Sequence, residues 1–222
     1  MASTPRFGAA LAACAALLLV LASAAGAGTE PRKKINPADQ ARARAINLKR
    51  SDLPGSGWSA TKSDSDSSNP RCSYYNPDQS DLTETGDAES PSFTREDGTF
   101  VSSTVGIFQT AAQGRTAYRR VVQPQLPRCL AEVFRKGTGQ AENVTVRSAG
   151  RLAFSRLAEK TDAYRVVAGF KTDSGSVTAY VDIVLFNRGR TDAGVIFVSI
   201  GRPFDAALER ALAGKVAARM RG

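Results

Sequence analysis

The sequence predicts an α+β domain: a twisted antiparallel sheet ending in a three-stranded meander, packed against helices and stapled by one disulfide. Three observations carry that expectation. From Tyr164 to Ile200 apolar residues alternate with polar ones in runs separated by turn residues. A helix with one apolar stripe follows, and neither it nor the sheet can bury its apolar face alone. Cys72 and Cys129 lie downstream of an apolar N-terminal leader, a setting in which cysteines pair.

The leader comes first. Arg6 and the Ala/Leu/Val run from Ala9 to Ala22 read as an export signal over residues 1–27, cut after Ala25-Gly26-Ala27. Two other readings stay open. Leu11-Ala12-Ala13-Cys14 is similar to the box at which bacterial lipoproteins are lipidated, although here the apolar run continues past Cys14. Gly8 to Gly26 is nearly long enough for an uncleaved anchor, and Arg32, Lys33 and Lys34 just beyond it oppose translocation. The expected location is secreted or extracytoplasmic.

The chain has 222 residues, a net charge of +9 and no histidine, so it lacks the commonest general base and metal ligand. A basic exported protein suits anionic lipid or cell-wall surfaces, and nucleic acid is not an expected partner. The charge is uneven. Residues 28–50 form a basic arm with a short helix, seven basic residues against Asp39 from Arg32 to Arg50. Lys62 to Asp97 carries nine acidic residues and three basic ones. The arm is a solvated tail, a peripheral membrane contact through Arg32–Arg50, or a segment that docks back onto the acidic stretch.

Residues 51–222 form the domain proper. Asn36 caps and Pro37 opens the arm's helix, with Ala41, Ala45 and Leu48 on one face. Asp52 to Trp58 is a turn with an apolar tip. Residues 61–99 are rich in Ser, Asp, Asn, Pro and Thr and read as a long polar loop, held down by Cys72. Phe100 to Phe108 alternates as a strand, with Val101, Val105 and Ile107 on one face. Thr110 and Gln113 make a capping box for a helix carrying Tyr118, Val121 and Val122. A second helix carries Cys129, Leu130, Val133 and Phe134. Asn143 to Leu157 suggests two short strands around Gly150. The meander turns at Asp173-Ser174-Gly175 and again at Asn187-Arg188-Gly189-Arg190. Pro203 opens the last helix, with Phe204, Leu208, Leu212 and Val216 inward, backed by Ala207 and Ala211, and Glu209 facing water.

No catalytic residue, metal ligand or cofactor is expected. Ser59-Ala60-Thr61-Lys62 matches the S-x-x-K nucleophile motif, but its S-D-N partner is missing. Asp64-Ser65-Asp66 begins like a calcium loop, but Asn69 stands where glycine is needed and Tyr75 where glutamate is. The candidate ligand-binding residues are Trp58, Tyr74 and Tyr75, aromatics on loops, and Arg165, Tyr180 and Asp182. Asp182 interrupts an apolar strand and could pair with Arg165 on the open side of the sheet.

Leu48 to Trp58 (LKRSDLPGSGW) is similar to a segment near the start of many actinobacterial exported proteins. Phe108 with the Ala-rich helix, Pro127-Arg128-Cys129, the Asn187 to Arg190 turn and the closing Ala-rich helix extend the likeness. Together these resemble the extracellular sensor domains of mycobacterial serine/threonine kinases and the related PsbP-like lipoproteins. The resemblance implies a sheet packed on helices with a ligand cleft. It departs from the kinase sensors in having one downstream cysteine pair instead of two. The expected function is a non-enzymatic, sensor-like binding domain for a small molecule or envelope component. The alternatives are an envelope-polymer hydrolase using paired carboxylates and a structural envelope protein.

Overall fold

The computed structural model describes residues 29–63, 69–137, 144–172 and 175–221. The expected export signal, Cys14, the calcium-like run from Asp64 and Asp173-Ser174 of the expected turn lie outside the described residues. The described chain builds one mostly antiparallel sheet with helices on both faces. Its strands are β1 (Arg32–Lys33), β2 (Ser59–Thr61), β3 (Thr83–Glu89), β4 (Ser92–Thr94), β5 (Phe100–Phe108), β6 (Val144–Arg151), β7 (Lys160–Thr172), β8 (Gly175–Arg188) and β9 (Thr191–Ile200). The helices are α1 (Pro37–Ile46), α2 (Ala111–Val121), α3 (Leu126–Gly137) and α4 (Ala206–Arg219).

The main path runs β1-β3-β5-β9-β8-β7-β6, with β4 on β5 and β2 on β4. Only β1 against β3 is parallel among these pairings. The meander is β7-β8-β9, as its alternation predicts. The tight β8–β9 turn puts Gly189 at φ 56°, a left-handed value that glycine adopts without steric cost.

Alternation sorts side chains to two faces. Val101, Val105, Ile107, Val184, Phe186, Val195 and Phe197 pack with α1, α4, Trp58 and Leu53. Tyr164, Val166, Val181, Ile183 and Val198 pack with α3 and Tyr75, while α2 covers Phe108 and Leu82. The Cys72–Cys129 disulfide forms, and its Cα atoms are 5.7 Å apart. Cys129 is fully buried on α3, so the bond clamps the segment before β3 onto that helix.

Several expectations need correction. Residues 61–99 are not a loop throughout: β3 and β4 lie within them. Their polarity hides them, because Thr85 and Asp87 are bonded to α1 and β1 instead of water. Residues 144–151 form one strand continuing through Gly150, bulged at Arg147 against β7. The basic arm is folded, not free: β1 pairs with β3, Lys33 contacts Asp87, and Arg32 donates to the Asp81 carbonyl at 3.2 Å. The start of the arm thus docks back onto the acidic stretch.

The caps are side-chain amide, hydroxyl and carboxylate oxygens that accept from open N–H groups. Asn36 caps α1 by accepting from Asp39 N at 2.9 Å. The buried residues of α1 are Ala43 and Ile46; Ala41 and Ala45 are exposed. Thr110 caps α2, but Gln113 accepts from Thr83 N at 3.1 Å instead of closing the box, tying α2 to β3. Helix α4 starts at Ala206 and is capped by Asp205, whose Oδ1 accepts from Leu208 N at 2.8 Å. Its inward side is Leu212, Ala213, Val216 and Ala217, while Ala207 and Ala211 are exposed. Glu209 points inward, not to water.

The disulfide closes a loop with a sequence separation of 57. The chain-entropy estimate for such a loop is about 4 kcal/mol. Reduction, or the double Cys72→Ser/Cys129→Ser change, should lower unfolding free energy by about 2–4 kcal/mol, read from urea curves. An unchanged midpoint would show that the bond constrains nothing in the unfolded chain.

Candidate functional site

On the α2 side, the floor of the sheet is unusually low. Gly106 on β5 sits opposite Asp192 on β9, and Thr104 opposite Gly194. Two missing side chains beneath a helix leave space. That space is a cleft of about 250 Å³, walled by Phe108, Tyr118, Val121 and Leu185, with Glu30, Lys33 and Gln79 at its rim.

Glu84 reaches this floor from β3. The β3–β5 register shifts between Glu84 and Gly86, leaving Thr85 as the extra residue of a bulge. Bulges of this kind bend a strand and re-aim its side chains. A Cβ on Gly106 would meet Glu84 Oε1 at 2.6 Å, so the carboxylate lies directly over the glycine. Asp192 stands on the other side of Gly106 and accepts from Asn187 Nδ2 at 2.7 Å. Two carboxylates thus flank one glycine.

Charge compensation is incomplete there. Glu30 is paired with Arg71, and Asp87 with Lys33. Glu84 is 7% exposed, and Lys33 Nζ stands 3.8 Å from it, beyond hydrogen-bond length. Burial, and then Asp87, push the Glu84 carboxyl up to about 8 against the pull of Lys33. Burial also holds Asp192 well above the ordinary carboxylate range, opposed by its bond from Asn187, with Glu84 adding repulsion. Tyr118 is fixed as a wall because its hydroxyl donates to Asp162 Oδ2 at 2.8 Å.

The residues singled out from sequence do not converge on this cleft. Arg165 and Asp182 do pair, in a two-pronged contact at 2.6 Å and 2.6 Å. The pair is not on an open face: Asp182 is 0% exposed. Arg165 and Asp182 face α4, where Glu209, 2% exposed, is buried beside them with Oε1 lacking a hydrogen-bond partner among the described residues. Burial, then Asp182, push Glu209 up to about 7, with Arg165 opposing. Tyr180 is half-buried. Trp58 anchors its turn in the core, its indole N–H donating to the Pro54 carbonyl at 3.1 Å. Tyr75 is buried and donates to the Val121 carbonyl at 2.7 Å. Tyr74 lies beside the disulfide region under Arg128, 4.1 Å from its ring centre.

Glu84, Gly106, Tyr118 and Asp192 are the residues that sequence reasoning passed over. The available signal was weak. Asp192 follows a hairpin turn, where an aspartate is ordinary, and Glu84 lies in a stretch whose polarity resembles a loop. Among the described residues no group of three or more metal-ligating side chains is gathered tightly enough to hold a metal ion, and no helix is long and apolar enough to cross a membrane. In comparisons with known proteins, no family model matches this chain, and neither does any curated protein.

The raised carboxyls set the pH dependence of stability. Unfolded, Glu84 and Glu209 ionise near 4.5, whereas folded they hold their protons to about 8 and about 7. Folding is therefore favoured below 4.5 and loses that contribution as pH rises towards 8. Asp39 and Asp52, held low against the opposing effect of burial by hydrogen bonds from Thr85 and Arg219, work in the opposite sense and fail in acid. The urea midpoint should therefore peak near pH 5 (roughly, from these reference values) and fall towards pH 8. Glu209→Gln should recover about 2 kcal/mol at pH 8 after allowance for solvent screening, with little change at pH 5. A flat profile in the wild-type chain would refute the burial of both carboxyls.

Proposed function

We propose that this chain is an exported, non-enzymatic binding domain that holds a small molecule in the cleft between β3, β5, β9 and α2. The observation that carries the reading is the cleft itself: a partly apolar cavity with two under-compensated carboxylates converging on a backbone floor. Apolar walls with a few placed polar groups are the usual make-up of a ligand pocket. At about 250 Å³ it suits a small ligand and not a polymer.

The hydrolase alternative has a specific attraction, since Glu84 and Asp192 are paired carboxylates. Acid–base catalysis needs the two environments to push their acidities apart, so that one donates while the other is ionised. Here burial raises both in the same direction instead of driving them apart. The structural alternative needs the basic arm available for an envelope surface. Arg32, Lys33, Arg42 and Arg50 instead make internal bonds.

Native mass spectrometry of the protein purified from its own host should show an adduct of small-molecule mass. Val121→Trp, which fills the cleft from a half-exposed helix position, should remove the adduct without changing the unfolding free energy by more than about 0.5 kcal/mol. An adduct that persists in this variant would place the ligand elsewhere. Wild-type protein that flies only at its bare mass would count against the reading.

A further inference from the structure

Resting on the reading that the cleft binds a small molecule, we infer that its ligand is a small organic cation, a protonated amine with an apolar body, whose nitrogen sits in the cleft against Glu84 and Asp192.

Four observations converge on that chemistry. Glu84 is more than nine-tenths buried and lines the cavity, and Lys33 Nζ stands 3.8 Å from its carboxylate, beyond hydrogen-bond length. Asp192 has one oxygen engaged by Asn187 and retains partial solvent access through the cleft it lines. Gly106 carries no side chain, which lets Glu84 Oε1 lie over the backbone of the residue that pairs with Asp192, so that both carboxyls line the same part of the cleft. The walls above are Phe108, Tyr118, Val121 and Leu185, which suit an alkyl or aryl body. Aromatic faces also attract cations.

A metal ion fits less well. A divalent cation takes six or more oxygens, and among the described residues no three such ligands gather here. An anion is opposed by both carboxylates. An ammonium group, by contrast, supplies three donors and one positive charge to a site whose lysine, Lys33, is held by Asp87.

The charged groups facing the site are Glu30 and Lys33 from the N-terminal segment, Asp87 from β3 and Asp192 from β9; Tyr118 on α2 faces it as a titratable hydroxyl. Lys33 is the native cation nearest Glu84, and it is already held by Asp87. Capture of an ammonium ion ionises Glu84, so a proton leaves as the ligand enters. Affinity then rises with pH towards about 8, by up to about tenfold per unit when one proton is released.

The test uses the mature chain and three probes of one shape: benzylamine, benzyl alcohol and benzoate. Amide shifts around Gly106 and Gly194 in NMR titrations report binding. Benzylamine should bind at least tenfold more tightly than the other two at pH 8, and weaken at pH 6. Glu84→Gln should cost benzylamine about tenfold to a hundredfold and leave benzyl alcohol within about twofold. If benzyl alcohol or benzoate perturbs the same amides as strongly as benzylamine, the amine assignment fails while the cleft reading stands. If none of the three perturbs them, both fail. Should Glu84→Gln not fold, Asp192→Asn carries the same expectation.

Discussion

The pairing of β5 with β9 is the constraint on which the molecule depends. It joins the N-terminal strands to the meander in one continuous sheet, through register from Phe100↔Val198 to Ile107↔Thr191. The strands are far apart in sequence, so the loop-closure entropy is large and must be met by the whole ladder forming together. The register also sets chemistry. A slip of one residue would turn Gly106, Gly194 and Asp192 to the opposite face. That face belongs to α1 and α4, where an extra carboxylate would enter the apolar core around Phe197 and Val195. The hydrophobic alternation therefore fixes the placement of the polar site.

The two faces of the sheet handle buried charge differently. Under α4, Asp182 receives both prongs of Arg165, and Glu209 joins them as the third member with one oxygen unsatisfied. Under α2, the small residues Gly106 and Gly194 lower the floor while Phe108 and Leu185 hold the helix up, so the carboxylates face a void. Burying a carboxylate without full compensation is costly. The first site resolves that cost with an arginine, and the second leaves it open to whatever enters the cleft.

The parts of the fold that were legible in the sequence were those whose side-chain pattern and packing agree. The meander, the stripe of α4 and the cysteine pair each follow from strong local patterns. Strand β3 was hidden because it lies towards an edge and uses Thr85 and Asp87 as bonding groups, so its composition mimics a loop. Glu209 was misplaced for a related reason: a charged residue in a helix is normally outside, whereas here burial favours its protonated form and Arg165 stands beside it. Arg165 with Asp182 was legible as a pair, since cross-strand register puts them opposite, but its burial depended on where α4 would dock. The cleft was not legible because it is made of what is absent: side chains missing at two glycines that no local pattern marks.

Net charge was likewise a poor guide to the site. A total of +9 argues for anionic partners, yet the cleft gathers four carboxylates against Lys33. The conflict disappears with distance. In physiological salt the field of exposed charges fades over about 8 Å, so most of the basic surface is screened from the cleft floor. Inside, lower dielectric strengthens the effect of near neighbours. What a ligand meets on approach is a mildly repelling or attracting surface; what holds it is set by Glu84 and Asp192 across a single glycine. Long-range charge governs encounter, and the local pair governs selection.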